Sequence, residues 1–189
     1  YLVGAAWISG IGCPNNAKTF DGTNTTPYTD AACTSVGSSD PKNMGLLLAK
    51  TGPTGNFAAG QVVLKKVPAT ITELGYDIRK PGGDPAGAEG SHCSAGAPRF
   101  DLTDTNGAEY FVGCDSPAPT VTASSTGWMR LRWSPATAYP AAGGGPVAVS
   151  TLTVKQVTIL IDEGQDTGPD NFGLAVLDNI DVNGTLVGK

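Results

Sequence analysis

VTILIDEGQDTGPDNFGLAVLDNIDVNG, residues 157–184, decides how the rest of this 189-residue chain reads. Val157, Ile159 and Ile161 alternate along its first part, and Leu174, Val176, Ile180 and Val182 along its last. A period of two marks a half-buried strand, because successive side chains point to opposite faces of a sheet. Between the two runs, DEGQDTGPDN carries the Gly, Pro, Asp and Asn of a turn-rich connection. The local expectation is two strands joined by an acidic loop. Asp178 falls among the inward positions of the second run and needs hydrogen-bond partners if it is buried.

The same alternation recurs upstream. In TGWMRLRWSP, residues 126–135, Met129, Leu131 and Trp133 share the inward face, and Trp128, Arg130 and Arg132 share the other. Leu74, Tyr76 and Ile78 alternate in ITELGYDI, and Phe100 and Leu102 in PRFDLTD. Asn106-Gly107 supplies the positive φ angles of a primed turn, so 98–114 is expected to be a β-hairpin. NMGLLLAK, residues 43–50, is too short and Gly-interrupted for a stable helix and reads as a turn or strand. With 26 Gly and 14 Pro, strands joined by many turns are favoured over helices. The expected fold is all-β, an antiparallel β-sandwich with long loops at 81–97 and 134–148. Residues 1–189 read as a single domain, with an N-terminal strand and irregular region over 1–44 and the sandwich core over 45–187.

Charge excludes several function classes. The formal net charge is −5, with 13 Asp against 4 Glu. A nucleic-acid binder needs a basic face to neutralise phosphates, and an acidic surface does not dock on anionic lipid. No apolar run reaches the length of a membrane-spanning helix. Cys13, Cys33, Cys93 and Cys114 contain no CxxC, which argues against structural zinc. Two disulfides, Cys13 with Cys33 and Cys93 with Cys114, are the natural pairing, although four cysteines allow three connectivities. Disulfides imply an oxidising compartment, and a chain opening at Tyr1 without Met reads as a processed one, so a secreted, extracellular or cell-surface protein is expected. Asn24 and Asn183 head formal glycosylation sequons.

TELGYDIRK, GSHCSAGAPRFDLTDTNGAEYFVGC, GWMRLRW and the opening stretch together resemble secreted bacterial proteins of unassigned function. They are similar, more loosely, to the β-jelly-roll of galactose-binding-like and carbohydrate-binding modules, in which a late strand often reads like AVLDNIDVNG. The resemblance covers about residues 45–187. It implies a jelly-roll and leaves the function open, since such folds include sugar binders, spacers and assembly subunits.

No catalytic constellation stands out. The one histidine, His92, adjoins Cys93, a disulfide candidate, and no carboxylate pair has the pattern of a glycosidase. The chain is therefore expected not to be an enzyme. Asp162, Glu163, Asp166, Asp170 and Asp178 are candidate ligands for calcium, which takes six to eight oxygens, although their spacing is not that of an EF-hand. The resemblance implies that a structural calcium is compatible with such loops; a solvated connection is the plainer account. For a glycan or partner surface, the candidate is the face of Trp128, Arg130 and Arg132, with cation–π packing as the alternative.

YLVGAAWISGIG, residues 1–12, is apolar and opens the chain. Tyr1, Leu2, Val3, Trp7, Ile8 and Ile11 can dock as a first strand of their own sheet or add to the edge of another subunit. The leading functional expectation is a non-catalytic extracellular subunit that self-associates by strand addition into a fibre or surface layer. The alternative is a module binding an extracellular polysaccharide or other surface, with or without calcium.

Overall fold

The computed structural model describes residues 3–9, 11–12, 18–20, 25–27, 44–50, 58–79, 97–123, 128–162 and 173–186. Two antiparallel sheets face each other. The seven-stranded sheet runs β1 (Val3–Ser9), β4 (Met44–Lys50), β14 (Gly173–Val182), β6 (Leu74–Arg79), β10 (Met129–Trp133), β9 (Thr120–Ala123), with β15 (Thr185–Leu186) paired to β14. The six-stranded sheet runs β12 (Val147–Ala148), β11 (Thr137–Pro140), β8 (Glu109–Val112), β7 (Arg99–Asp104), β13 (Val154–Ile161), β5 (Gly60–Val63). A small ladder joins β2 (Lys18–Phe20) to β3 (Thr25–Pro27). The chain crosses from one large sheet to the other at six connections, β4 to β5, β5 to β6, β6 to β7, β8 to β9, β10 to β11 and β13 to β14, the interleaving of a jelly-roll sandwich.

The alternating residues form the core. Leu74, Tyr76 and Ile78 on β6 and Met129, Leu131 and Trp133 on β10 face Phe100 and Leu102 on β7 and Val157, Ile159 and Ile161 on β13, all buried. Tyr76, Phe100 and Trp133 meet in a ring cluster with centroids 5.4, 5.5 and 5.8 Å apart. Their polar atoms are satisfied: the Tyr76 hydroxyl donates to the Pro98 carbonyl at 2.8 Å and Trp133 Nε1 to that of Pro117 at 2.7 Å. Burial, reinforced by Asp115, holds the Tyr76 hydroxyl far above its ordinary pKa.

Three details differ from the sequence reading. The hairpin over β7 and β8 forms, but not on a primed turn. Of Asn106 and Gly107 only Gly107 is left-handed, at φ +84°, and a three-residue loop closes where Asp104 N donates to the Ala108 carbonyl. The Asp104 carboxylate accepts from Asn106 N and Ala108 N and fixes that loop. The primed turn lies at Asn183-Gly184, φ +56° and +74°, between β14 and β15.

In β14, Asp178 stands opposite Asp77, but Asp181 stands opposite Gly75, so two residues of β14 face one of β6. This β-bulge, with Asn179 left-handed at φ +47°, shifts the inward set. Ala175 and Leu177 point inward before it and Ile180 and Val182 after it. Asp178 therefore lies on the outward face and does not interrupt the core.

The N-terminal segment docks within its own chain. β1 pairs with β4 over seven residues, from Val3 opposite Lys50 to Ser9 opposite Met44. Trp7 packs on the core, while Val3 and Ile8 remain 40% and 37% exposed. β5 presses on β1 from the other sheet: a Cβ at Gly60 would stand 2.4 Å from the Gly4 carbonyl oxygen. Tyr1 and Leu2 lie outside the described residues, and Ile11 is half-buried. The expectation of a segment donated to another subunit thus has an intramolecular answer.

Cys114 is fully buried and disulfide-bonded; Cys13, Cys33 and Cys93 lie outside the described residues. Among the described residues no helix is long and apolar enough to cross a membrane.

Candidate functional site

Each sheet has an outward face, and the two differ. On the seven-stranded sheet, Asp178, Asp77 and Arg130 are directly opposed across β14, β6 and β10. Asp77, Asp178, Asn179, Asp181 and Arg130 are each under 5% exposed. Arg130 forms an ion pair with Asp181 and donates through Nη1 to the Asn179 carbonyl at 2.9 Å. Gly75 makes room for that pair, since a Cβ there would lie 2.7 Å from Asp181 Oδ2 and 2.9 Å from Arg130 Nη2. Asn179 Nδ2 donates to Asp77 Oδ2 at 2.8 Å, and its N–H to Asp178 Oδ1 at 2.7 Å. Asn179 Oδ1 is the one buried side-chain acceptor without a partner among the described residues.

This geometry closes the face that the sequence offered for a glycan. Trp128 is 2% exposed, with the Arg79 guanidinium 5.4 Å from its ring centroid, and Arg130 is committed to the cluster just described. Only Arg132 reaches solvent, where it pairs with Glu73 at 2.7 Å. Alternation assigns a face, not how deeply that face is buried.

The outward face of the six-stranded sheet is more open. Register places Tyr139 on β11 opposite Phe111 on β8, Phe111 opposite Asp101 on β7, Asp101 opposite Thr158 on β13, and Thr158 opposite Val63 on β5. Five strands at about 4.8 Å spacing make this row about 19 Å long. Phe111 and Tyr139 are partly buried at one end and Val63 is exposed at the other, while Thr158 between them is buried.

Beside the row sits a fixed charge network. Arg99 Nε donates to Asp101 Oδ1 at 2.8 Å, and Nη1 reaches both Asp162 oxygens at 2.8 Å. The Arg99 guanidinium also lies 5.2 Å from the Phe111 centroid. Burial alone lowers the Arg99 pKa, but the carboxylates, Asp101 first and Asp162 next, outweigh it and hold it above its ordinary value. Burial pushes the Asp101 carboxyl up, against the opposing pull of Arg99. Glu109, two residues before Phe111 on the same face, is exposed. Partly buried rings beside oriented carboxylates and a guanidinium suit a ligand with apolar ring faces and many hydroxyls.

Of the sequence candidates, Asp162 belongs to this network and Asp178 to the other sheet. Glu163, Asp166 and Asp170, like His92 and Asn24, lie outside the described residues. Among the described residues, no group of three His, Cys, Asp or Glu is arranged to hold a metal ion. The Asn183 amide clasps the segment 70–73: Oδ1 accepts from Thr72 N, Thr72 Oγ1 and Glu73 N, and Nδ2 donates to the Thr70 carbonyl. Arg99, Asp101, Phe111 and Tyr139 were not singled out in the sequence; the signal for the first three was the outward half of the hairpin alternation, and Tyr139 lies on β11, within the stretch expected to be a loop.

No protein-family model matches the chain, and no curated protein matches it. Among solved structures, it is similar to the family 11 carbohydrate-binding module of a cellulosomal cellulase of Clostridium thermocellum, with 14% identity over 98% of this chain and 91% of that one at a TM-score of 0.44. The Clostridium thermocellum module in complex with a β-1,3-1,4-mixed-linked tetrasaccharide gives 14% identity, 98% and 92% coverage and a TM-score of 0.43. The CBM22-1 xylan-binding domain of Paenibacillus barcinonensis Xyn10C gives 13% identity, 96% coverage of both chains and 0.32. At these scores no residue role passes from them to this chain, and the antiparallel sandwich rests on the strand order itself.

Proposed function

We propose that this chain is a non-catalytic, extracellular module that binds polysaccharide on the outward face of its six-stranded sheet. One observation carries the proposal: Phe111 and Tyr139 are directly opposed on an open face, beside an Arg99 that Asp101 and Asp162 hold in place. Rings of this kind offer flat apolar surface to a sugar ring, and the pre-oriented network lowers the ordering cost of hydrogen-bonding its hydroxyls. Strand addition loses its chief motive, because the segment assigned to it already pairs with β4.

Affinity electrophoresis through gels containing soluble polysaccharides, with and without Ca²⁺, tests the proposal. Retardation by at least one polysaccharide is expected. Phe111→Ala and Tyr139→Ala should each weaken it by about tenfold, the equivalent of about 1.4 kcal/mol, with unchanged circular dichroism. Absence of retardation across neutral, cationic and acidic polysaccharides, or full binding by both variants, would overturn it.

A further inference from the structure

The charges on the proposed binding face are not balanced. The groups that act on the Asp101 carboxylate are Arg99, Asp162 and Glu109, and Lys50 Nζ donates to the Asp162 carbonyl, so three carboxylates with Asp101 itself stand against one guanidinium and one ammonium. That guanidinium is already spent, shared between Asp101 and both oxygens of Asp162. Glu109 is exposed, stands on the Phe111 side of the hairpin, and has no ion-pair partner among the described residues. Lys155, the lysine of β13, is exposed at the end of its strand remote from Asp162; its neighbour Gln156 pairs with Thr103, which pairs with Glu109, and no ion pair joins Lys155 to Glu109 among the described residues. Phe111 already holds one cation near its ring, Arg99 at 5.2 Å, so its surroundings suit positive charge. The whole chain, at a formal −5, adds long-range repulsion of polyanions.

We infer that this face selects saccharides bearing protonated amino groups over saccharides bearing carboxylates or sulfates, with the ammonium seated among Phe111, Glu109 and Asp101. The inference rests on the face being a polysaccharide site, and it adds the chemistry of the occupant. A uronate placed there would meet the Glu109 carboxylate and find the Arg99 guanidinium already shared between Asp101 and Asp162, so charge complementarity runs one way. An N-acetylated amino sugar keeps the ring surface but loses the charge, and it isolates the electrostatic contribution from stacking.

The experiment is calorimetric titration of the full chain at mildly acidic pH with three probes of equal length: glucosamine oligomers, their N-acetylated counterparts and galacturonic acid oligomers. Glucosamine oligomers are expected to bind about tenfold more tightly than the acetylated ones, as for a gain of one partly desolvated charge contact. That margin should shrink in high salt, and galacturonate should not bind. Glu109→Gln, at an exposed position that the fold tolerates, should lose most of the margin while leaving the acetylated oligomers unaffected. Equal binding of the amino and acetylated forms, preference for galacturonate, or a margin unmoved by Glu109→Gln would overturn the charge selection and leave the polysaccharide site standing. Failure of all three probes, together with no retardation by any polysaccharide, would overturn both.

Discussion

Replacing Asn183 separates two contributions that the structure assigns to one residue. Its side chain makes four hydrogen bonds to the segment 70–73, at 2.8, 3.1 and 3.2 Å to Oδ1 and 3.0 Å from Nδ2, while its backbone is left-handed at φ +56°. Its N–H also donates to the Glu73 carbonyl at 3.0 Å, a bond that any non-proline residue keeps. Asn183→Gly removes only the side-chain bonds, because glycine adopts positive φ without strain. These bonds are at the surface, where water replaces part of each, so the loss should be about 1–2 kcal/mol, well below four times the usual 0.5–1.5. Asn183→Ala loses the same bonds and adds the left-handed cost of a Cβ, about 1 kcal/mol more. Asn183→Asp keeps the acceptor and tolerates the backbone; it loses donation to Thr70 and turns a carboxylate oxygen toward that carbonyl, a contact its exposure lets water relieve, and should cost less than Asn183→Gly. Urea unfolding at neutral pH measures all three, with the expected order Asp, Gly, Ala from least to most destabilised. Equal losses for Gly and Ala would refute the strain argument; wild-type stability in all three would refute the clasp.

Two further outcomes follow from other contacts. Burial raises the Asp101 pKa in the folded state, so the folded chain holds its proton to higher pH than the unfolded chain does; the stability associated with the neutral form is full at low pH and lost as pH rises through the folded pKa. Asp101→Asn, which cannot ionise, should therefore gain stability relative to wild type as pH rises from strongly acidic toward neutral in urea titrations, and a relative loss over that range would contradict the assignment. Gly60→Ala forces a Cβ to within 2.4 Å of the Gly4 carbonyl and 2.9 Å of that of Ala49, both backbone atoms that cannot swing aside. It should cost about 1–3 kcal/mol and speed proteolysis within β1; an unchanged melting temperature and cleavage rate would show that β5 does not brace β1.

The inward faces of β6, β7, β10 and β13 were legible because period two is a local property of each strand. Leu74, Tyr76 and Ile78 announce their face without reference to anything distant. The register of β14 was not legible. LDNID contains one residue more than its partner accommodates, and that partner, β6, lies about a hundred positions upstream. The two outward faces were equally opaque. Trp128-x-Arg130 and Arg99-x-Asp101 with Phe111 have similar patterns, yet the first is buried and the second half-open. Burial on an outward face depends on what crosses over it, which alternation does not encode. The fate of the N-terminal segment turned on β4 being free to receive it, again a fact of assembly and not of local pattern.

The position of β14 constrains how the molecule comes into being. It occupies the middle of the seven-stranded sheet, bonded on one flank to β4 and on the other to β6, although it is the next-to-last strand in the chain. Until residues 173–182 arrive, β4 and β6 are strands with a gap between them, each presenting unpaired amides and carbonyls toward the missing neighbour. A chain emerging from its N-terminus cannot complete this sheet progressively; it waits until residue 173 is made, then closes a loop of more than a hundred residues back to β4. Folding should accordingly be slow and cooperative. Any chain halted before residue 173 carries an open slot shaped for a strand, the species most prone to capture the wrong one.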